Sequence, residues 1–236
     1  MLIKSPALKK NYFLLAISLC LLSNNMFAQQ PALNHPNTAG AGWSDLFDGS
    51  LSNGIYQKGI WTISDGVITA SKDTALWSDK EYNNFILDLE FKNTKGTNSG
   101  VFVHGSSMRE WVDHSVEIQI ADDFDPEWAN SPASWQCGAV FGHQGASKHT
   151  VKQPGEWNHF TITCIGRKIW VVLNGELINT FDMSKYASAK INADGTKIPV
   201  WLDKPLSVMP LKGHIGFQGL HAGAPVYFRN IKIKTL

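Results

Sequence analysis

Apolar and polar residues alternate with a period of two along most of this chain, a rhythm that leaves little but β-structure open to it. Phe85, Leu87, Leu89 and Phe91 interleave with Ile86, Asp88 and Glu90; Val116, Ile118 and Ile120 with Glu117 and Gln119; Ile169, Val171 and Leu173 with Trp170 and Val172. Turn chemistry marks two hairpins. Asp65-Gly66 separates Trp61-Thr62-Ile63 from Val67-Ile68-Thr69, and Asn174-Gly175 separates 169–173 from 176–181. Both dipeptides accept the positive φ angles of a tight antiparallel turn. Residues 100–104, 138–141, 157–165, 214–218 and 226–234 add further candidate strands. None alternates with a helix-length amphipathic segment, which disfavours parallel α/β architectures and predicts an all-β sandwich of two antiparallel sheets. The stretches 122–136 and 182–212 are long, irregular and Pro-bearing, and loops of that length usually shape a site.

Of the 236 residues, 43% are apolar, which allows a substantial core. With 21 Lys+Arg against 20 Asp+Glu there is no basic excess, which argues against nucleic acid or an anionic membrane as partner. After residue 30 no apolar stretch approaches the roughly 20 residues of a membrane span. Residues 1–28 read as a secretory signal, with Lys4, Lys9 and Lys10 ahead of an apolar run at 13–22 and a small residue at Ala28. Cys20 ends the apolar run, but Leu19 stands where a lipid-anchor signal needs a small residue, so cleavage after Ala28 is favoured. Residues 29–41, with Pro31 and Pro36, read as a flexible leader, and 42–236 as one domain bound for the periplasm or the exterior. Cys137 and Cys164 would then meet an oxidising compartment. Two cysteines define no disulfide framework, and Cys164 shares the parity of Phe160 and Ile162, which suits a buried thiol at least as well.

Alternation also sorts the polar residues. In Val101-Phe102-Val103-His104 the valines point inward, which sends Phe102 and His104 to the other face. The same parity turns Glu117, Gln119, His214 and Gln218 outward, with Asn98 where its strand begins and His143, His221 and Arg229 at the rims. A carboxyl, an imidazole and amides on one sheet face suit sugar recognition, since hydroxyls need paired donors and acceptors. Nine tryptophans fit that reading; Trp111, Trp128, Trp135 and Trp201 are candidate stacking platforms, and Trp43, Trp61, Trp157 and Trp170 candidate core residues. An outward Glu or His on a half-exposed strand is more often a solvated surface group than a catalyst. Asp122, Asp123 and Asp125 resemble a calcium loop without a full ligand set.

An ordered series of segments carries a more specific signal. It runs Leu46-Phe47-Asp48-Gly49, Trp61-Thr62-Ile63-Ser64-Asp65-Gly66, Asn98-Ser99-Gly100-Val101-Phe102 and Val116-Glu117-Ile118-Gln119-Ile120-Ala121-Asp122. It continues through Cys137-Gly138-Ala139-Val140-Phe141, Pro154-Gly155-Glu156-Trp157-Asn158, Gly213-His214-Ile215-Gly216-Phe217-Gln218 and Phe228-Arg229-Asn230-Ile231. From Trp43 to Lys234 the chain resembles the 3-keto-glucoside 1,2-lyase / 3-keto-2-hydroxy-glucal hydratase family, also described as 3-keto-disaccharide hydrolases. Three positions depart from the family pattern: His104 where relatives often carry Arg, Phe141 where Tyr is common, and a Gln218-to-His221 spacing one residue longer than usual.

The resemblance implies a concanavalin A-like jelly roll and an exported enzyme acting on a glycoside or oligosaccharide oxidised at C3. The C3 ketone acidifies the C2 proton; a base removes it, the C1 substituent leaves, and water adds back to give the free keto-sugar. Glu117 and His104 are the implied base and acid, in either order. Gln119, Gln218 and Arg229 would hold sugar oxygens or the enolate. Asn98 and Trp111 join the binding set, and Asp122, His143 and His221 are candidates for orientation, proton transfer or a divalent metal. Two alternatives stand beside it. A conventional glycosidase needs a second facing carboxylate, where the strand of Glu117 offers the amide Gln119; a lectin-like module would keep the polar face without needing an acid/base pair.

Overall fold

The computed structural model describes Met1 and residues 29–236. The expected signal segment beyond Met1, and Cys20 with it, lies outside the described residues. Among the described residues thirteen strands run in chain order: β1 (Ser44–Asp45), β2 (Gly54–Ile55), β3 (Trp61–Ser64), β4 (Val67–Ala70), β5 (Ala75–Tyr82), β6 (Phe85–Asn93), β7 (Asn98–Gly105), β8 (Val116–Ala121), β9 (Asn158–Ile165), β10 (Lys168–Leu173), β11 (Glu176–Asp182), β12 (Gly213–Gln218) and β13 (Val226–Thr235). The α-helical turns among the described residues are short: α1 (Trp111–His114) and α2 (Pro126–Ala129). No described helix is long and apolar enough to cross a membrane.

The strands form two antiparallel sheets. The larger has the order β11-β10-β9-β6-β13-β4-β3, with β1 added beside β13; the smaller is β2-β5-β12-β7-β8. Their facing sides carry the alternating residues read from the sequence. Phe85, Leu87, Leu89 and Phe91 of β6 meet Val101 and Val103 of β7 and Ile118 and Ile120 of β8 in one buried cluster. Phe217 of β12 packs edge-on against Phe228 of β13, centroids 5.0 Å apart, across the two layers. This is the predicted all-β jelly-roll sandwich. The hairpins also form as predicted, with Asp65 and Gly66 at φ 51° and 75°, and Asn174 and Gly175 at φ 50° and 86°, closing β3–β4 and β10–β11.

Three expectations are corrected. Residues 138–141 are not a strand; Val140 makes isolated bridges to Ile118 and Gln144. The leader does not trail away from the domain. Ala32 N–H donates to Thr163 Oγ1 at 3.2 Å, and the His35 ring stacks on His159 at 3.6 Å, on the outer face of the larger sheet. The disulfide alternative does not form, since Cys137 and Cys164 are both free and buried; burial pushes both thiols above their ordinary range.

A fourth correction follows from a bulge in β7. His214 pairs with Gly105 and Gly216 with Phe102, so Val103 and His104 together oppose Ile215 alone. An extra residue of this kind breaks the period of two. His104 takes the left-handed conformation, φ 57°, and its ring turns inward toward Phe85, 6.3 Å away. His104 therefore does not share the open face with Glu117.

Candidate functional site

The open face of the smaller sheet carries a cavity of about 420 Å³. Its floor comes from three neighbouring strands: Asn98 from the start of β7, Glu117 and Gln119 from β8, and Gln218 from the end of β12, with His221 just beyond. The short helices and irregular loops raise aromatic walls around it, Trp111 on α1, Trp128 on α2, and Trp135, Phe141 and Trp201 beyond. Trp135 packs on Phe141 at 5.3 Å and edge-on to Trp201 at 6.0 Å.

Glu117 is the pivot of this floor. Its carboxyl makes no hydrogen bond or ion pair among the described residues, and desolvation alone pushes its pKa up to about 8. Such a carboxyl is held partly protonated near neutrality and is a stronger base than an ordinary glutamate once ionised. Its position depends on Gly100 in the adjacent strand. A Cβ there would lie 2.6 Å from Glu117 Cγ and 2.7 Å from Cδ, so the side chain lies across bare backbone that no other residue type offers. Beside it, Gln119 Nε2 donates to Asn98 Oδ1 at 3.0 Å. That bond fixes the amide and leaves Gln119 Oε1 buried without a partner; Trp128 Nε1 is likewise an unpartnered buried donor. Such groups on a pocket wall are available to a polar ligand. His221 Nδ1 hydrogen-bonds Asp73 Oδ2 at 2.7 Å, which orients the ring as a carboxylate orients a proton-transferring histidine.

Of the residues predicted from the sequence, the cavity thus gathers Glu117, Asn98, Gln119, Gln218, His221 and Trp111, and with them Trp128, Trp135 and Trp201. Four lie elsewhere. His104 is fully buried between the sheets, where Nδ1 donates to Leu211 O at 2.7 Å; burial, and secondarily the Arg167 charge, lower its pKa to about 4. Arg229 belongs to β13 of the larger sheet. Phe228 points inward, so Arg229 points outward on the opposite side of the sandwich, paired with Glu90 and lying 3.9 Å over the Trp157 ring. Asp122 is buried as a turn anchor, accepting from Gly96 N at 2.9 Å and Phe124 N at 3.2 Å. His143 stands behind the tryptophan wall, bonded to Asn192 Oδ1 at 3.0 Å. Sequence reasoning missed Trp77, which stacks on Phe102 at 5.4 Å beneath Trp111. The alternation of Ala75-Leu76-Trp77 was the signal for it. It also missed Asp73, which nothing in the sequence marks as the partner of His221.

For a metal, His35, Asp88 and His159 each bring a ligand atom within 4.8 Å of the others, on the far sheet. Their geometry suits hydrogen bonding better. The imidazole planes are parallel within 7°, so their in-plane lone pairs do not converge on one ion, and His159 Nε2 and Thr161 Oγ1 both donate to Asp88.

A curated 3-keto-disaccharide hydrolase of Bacteroides thetaiotaomicron is 26% identical over 231 residues, covering 83% of this chain and 79% of that protein. A presumed glycosyl hydrolase of Parabacteroides distasonis, known from its crystal structure, is 48% identical with a TM-score of 0.80, covering 82% of this chain and 99% of that one. A second from the same organism is 25% identical with a TM-score of 0.68, covering 83% and 94%. A family model matches residues 42–234, the whole sandwich, and on that match the chain belongs to the 3-keto-alpha-glucoside-1,2-lyase-like domain family.

Proposed function

We propose that this pocket cleaves glycosides oxidised at C3, with Glu117 as the base that removes the C2 proton. The observation that carries the reading is a carboxyl without a partner in an aromatic-walled cavity, its pKa raised to about 8 by desolvation. Abstraction at C2 forms an enolate whose charge rests on the C3 oxygen. Asn98 and Gln218 supply side-chain amide donors around that position for the developing negative charge, while Gln119 Oε1 is left to accept from a sugar hydroxyl. The electron pair then forms the C1–C2 double bond and the C1–O bond breaks, while His221, held by Asp73, gives a proton to the departing oxygen. Water adds to C1 of the resulting 2-hydroxy-3-keto-glucal and a proton returns to C2, so the net reaction is hydrolysis. His221 takes the place beside Glu117 that the sequence reading gave to His104, there as base or acid in either order.

A two-carboxylate glycosidase is less well supported, because Glu117 is the one carboxylate among the cavity-lining side chains and that chemistry needs a second about 5–9.5 Å away. The discriminating experiment is turnover of a 3-keto-glucoside and its unoxidised parent in D₂O. Elimination and rehydration place solvent deuterium at C2 and pass through a conjugated enone visible in the ultraviolet. Cleavage without C2 label excludes the elimination route, and cleavage of the unoxidised parent at equal rate excludes the keto-sugar specificity. The basic and apolar N-terminal segment further supports an exported enzyme, working downstream of an activity that oxidises C3.

A further inference from the structure

The aromatic walls of the main pocket come from different elements. Trp111 belongs to α1, a single turn with no buried residue and no side-chain cap, too short to hold its shape unaided. Its ring reaches Phe102 of β7, centroids 6.4 Å apart. Trp201 belongs to the stretch 187–205, which forms no helix or strand; it packs on the side of Trp135 and Phe141 and stands half exposed. Both indoles line the cavity. A charge follows each of them closely in sequence, Asp113 after Trp111 and Lys204 after Trp201, and Lys204 Nζ meets Asp113 Oδ2 at 3.0 Å. His114 completes the contact. Its Nδ1 faces two acceptors, Asp113 Oδ1 at 2.9 Å and Glu110 O at 2.8 Å, and so carries the proton; Nε2 is left to accept from Lys204 Nζ. Among the described residues, Lys204 makes every side-chain hydrogen bond and ion pair that ties 187–205 to α1. Lys204, Asp113 and His114 line no part of the cavity. A partly exposed pair of this kind shifts an equilibrium only a few-fold, the right size to tune affinity rather than to hold the fold together.

We propose that Lys204 and Asp113 are positioning residues of the main pocket: their ion pair sets the separation of Trp111 and Trp201, and through the two indoles the affinity for the sugar held between them. The inference rests on the reading of the main pocket and adds a control on it from outside the cavity. Glu117, Asn98, Gln119 and Gln218 sit on the sheet and on neither wall, so breaking the pair acts on KM and leaves kcat.

On a 3-keto-glucoside, Lys204→Met is expected to raise KM about threefold, with kcat near wild type. Lys204→Glu sets two carboxylates face to face and should raise KM about tenfold, again with kcat near wild type. Lys204→Glu combined with Asp113→Lys restores the pair in reverse and should bring KM back. The sugar carries no charge, so added salt reaches KM through the pair: about 0.5 M NaCl should raise the KM of wild type and leave that of Lys204→Met unchanged. The indole N–H resonances of Trp111 and Trp201 give a readout free of turnover. Lys204→Glu should move both, although Trp111 lies on the other element, and the reversed pair should return both. A Trp111 resonance indifferent to Lys204→Glu, or a KM that the reversed pair does not recover, overturns the positioning role. Wild type that turns over no 3-keto-glucoside overturns the reading of the main pocket instead, and the resonances still decide whether the pair couples the two walls.

Discussion

Glu117 and Gly100 are a single packing unit written on two strands. Gly100→Ala keeps the backbone of β7 within ordinary extended geometry but forces the glutamate off its seat, where the added Cβ would meet Cγ at 2.6 Å. A displacement near 1 Å of a catalytic group costs about 10²-fold in rate. Gly100→Ala is therefore expected to lower kcat about that much while thermal unfolding stays near wild type; unchanged kcat would show that Glu117 has room to move. On the proposed mechanism Glu117→Gln removes the base and should cost about 10²–10⁴-fold. The raised pKa makes two pH claims. As a base, Glu117 acts ionised, so kcat/KM should rise with pH to a plateau above about 8; a fall through that range would reassign Glu117 as the acid. Because the folded pKa lies above the ordinary glutamate value of 4.5, the folded state holds the proton more tightly than the unfolded chain. This group's contribution to stability is complete below the unfolded value and is lost as pH rises toward 8. Glu117→Gln should consequently be more stable than wild type at pH 9, by about 1–2 kcal/mol, part of the desolvation being relieved by water in the open cavity. Equal denaturation midpoints at that pH would remove the argument.

Elements explain where the sequence could be read and where it could not. Period-two alternation gave the sandwich, the two Gly-containing hairpins and the outward set on β8 and β12, because every one of those residues obeys the pleat. His104 failed the same rule through one extra residue in β7, opposite Ile215, which a local pattern does not announce. Arg229 failed for a different reason: its parity was right, with Phe228 inward, but alternation says nothing about which sheet β13 joins. Asp122 and His143 sit on irregular segments where no periodicity applies, and the His221–Asp73 pair spans 148 residues. The bulge has its own consequence. His104 fills space between Phe85 and Leu211 O rather than serving chemistry. His104→Ala should destabilise the fold by about 2 kcal/mol, through the cavity the ring leaves and the lost hydrogen bond to Leu211 O. Its kcat on a 3-keto-glucoside should remain within a few-fold of wild type. A collapse of kcat in folded His104→Ala protein would restore His104 to the mechanism.

At the scale of the whole molecule the two outer faces have separate duties. The smaller sheet carries the cavity, and the larger is partly covered by the leader, held through a proton-ordered chain. Gly175 N–H donates to His35 Nε2 at 2.8 Å, so that nitrogen bears no proton. The ring's Nδ1–H donates to Thr161 Oγ1, also at 2.8 Å, and Thr161 in turn donates to Asp88, which also binds His159. A protonated His35 cannot accept from Gly175. Burial, then the neighbouring His159, lower its pKa to about 4 against only a partial opposing pull from Asp88. The sign follows from that depression. Between about 4 and the ordinary histidine value of 6.5 the unfolded chain binds the extra proton and the folded one does not, so the contribution is whole above 6.5 and is lost as pH falls toward 4. His35 is only half-buried, so solvent screens much of the shift, and losing about 1 kcal/mol in this way corresponds to about 2–4 °C in a chain of this size. The Tm of wild type should therefore drop between pH 7 and pH 4.5 by that much more than the Tm of His35→Ala, which has no such proton to gain. Deuterium exchange at the Gly175 amide should accelerate over the same interval in wild type and be fast throughout in the variant. Parallel Tm curves, or a Gly175 amide equally protected in both proteins, would mean that the leader is held by its backbone contacts, such as Ala32 to Thr163, and not by the neutral imidazole.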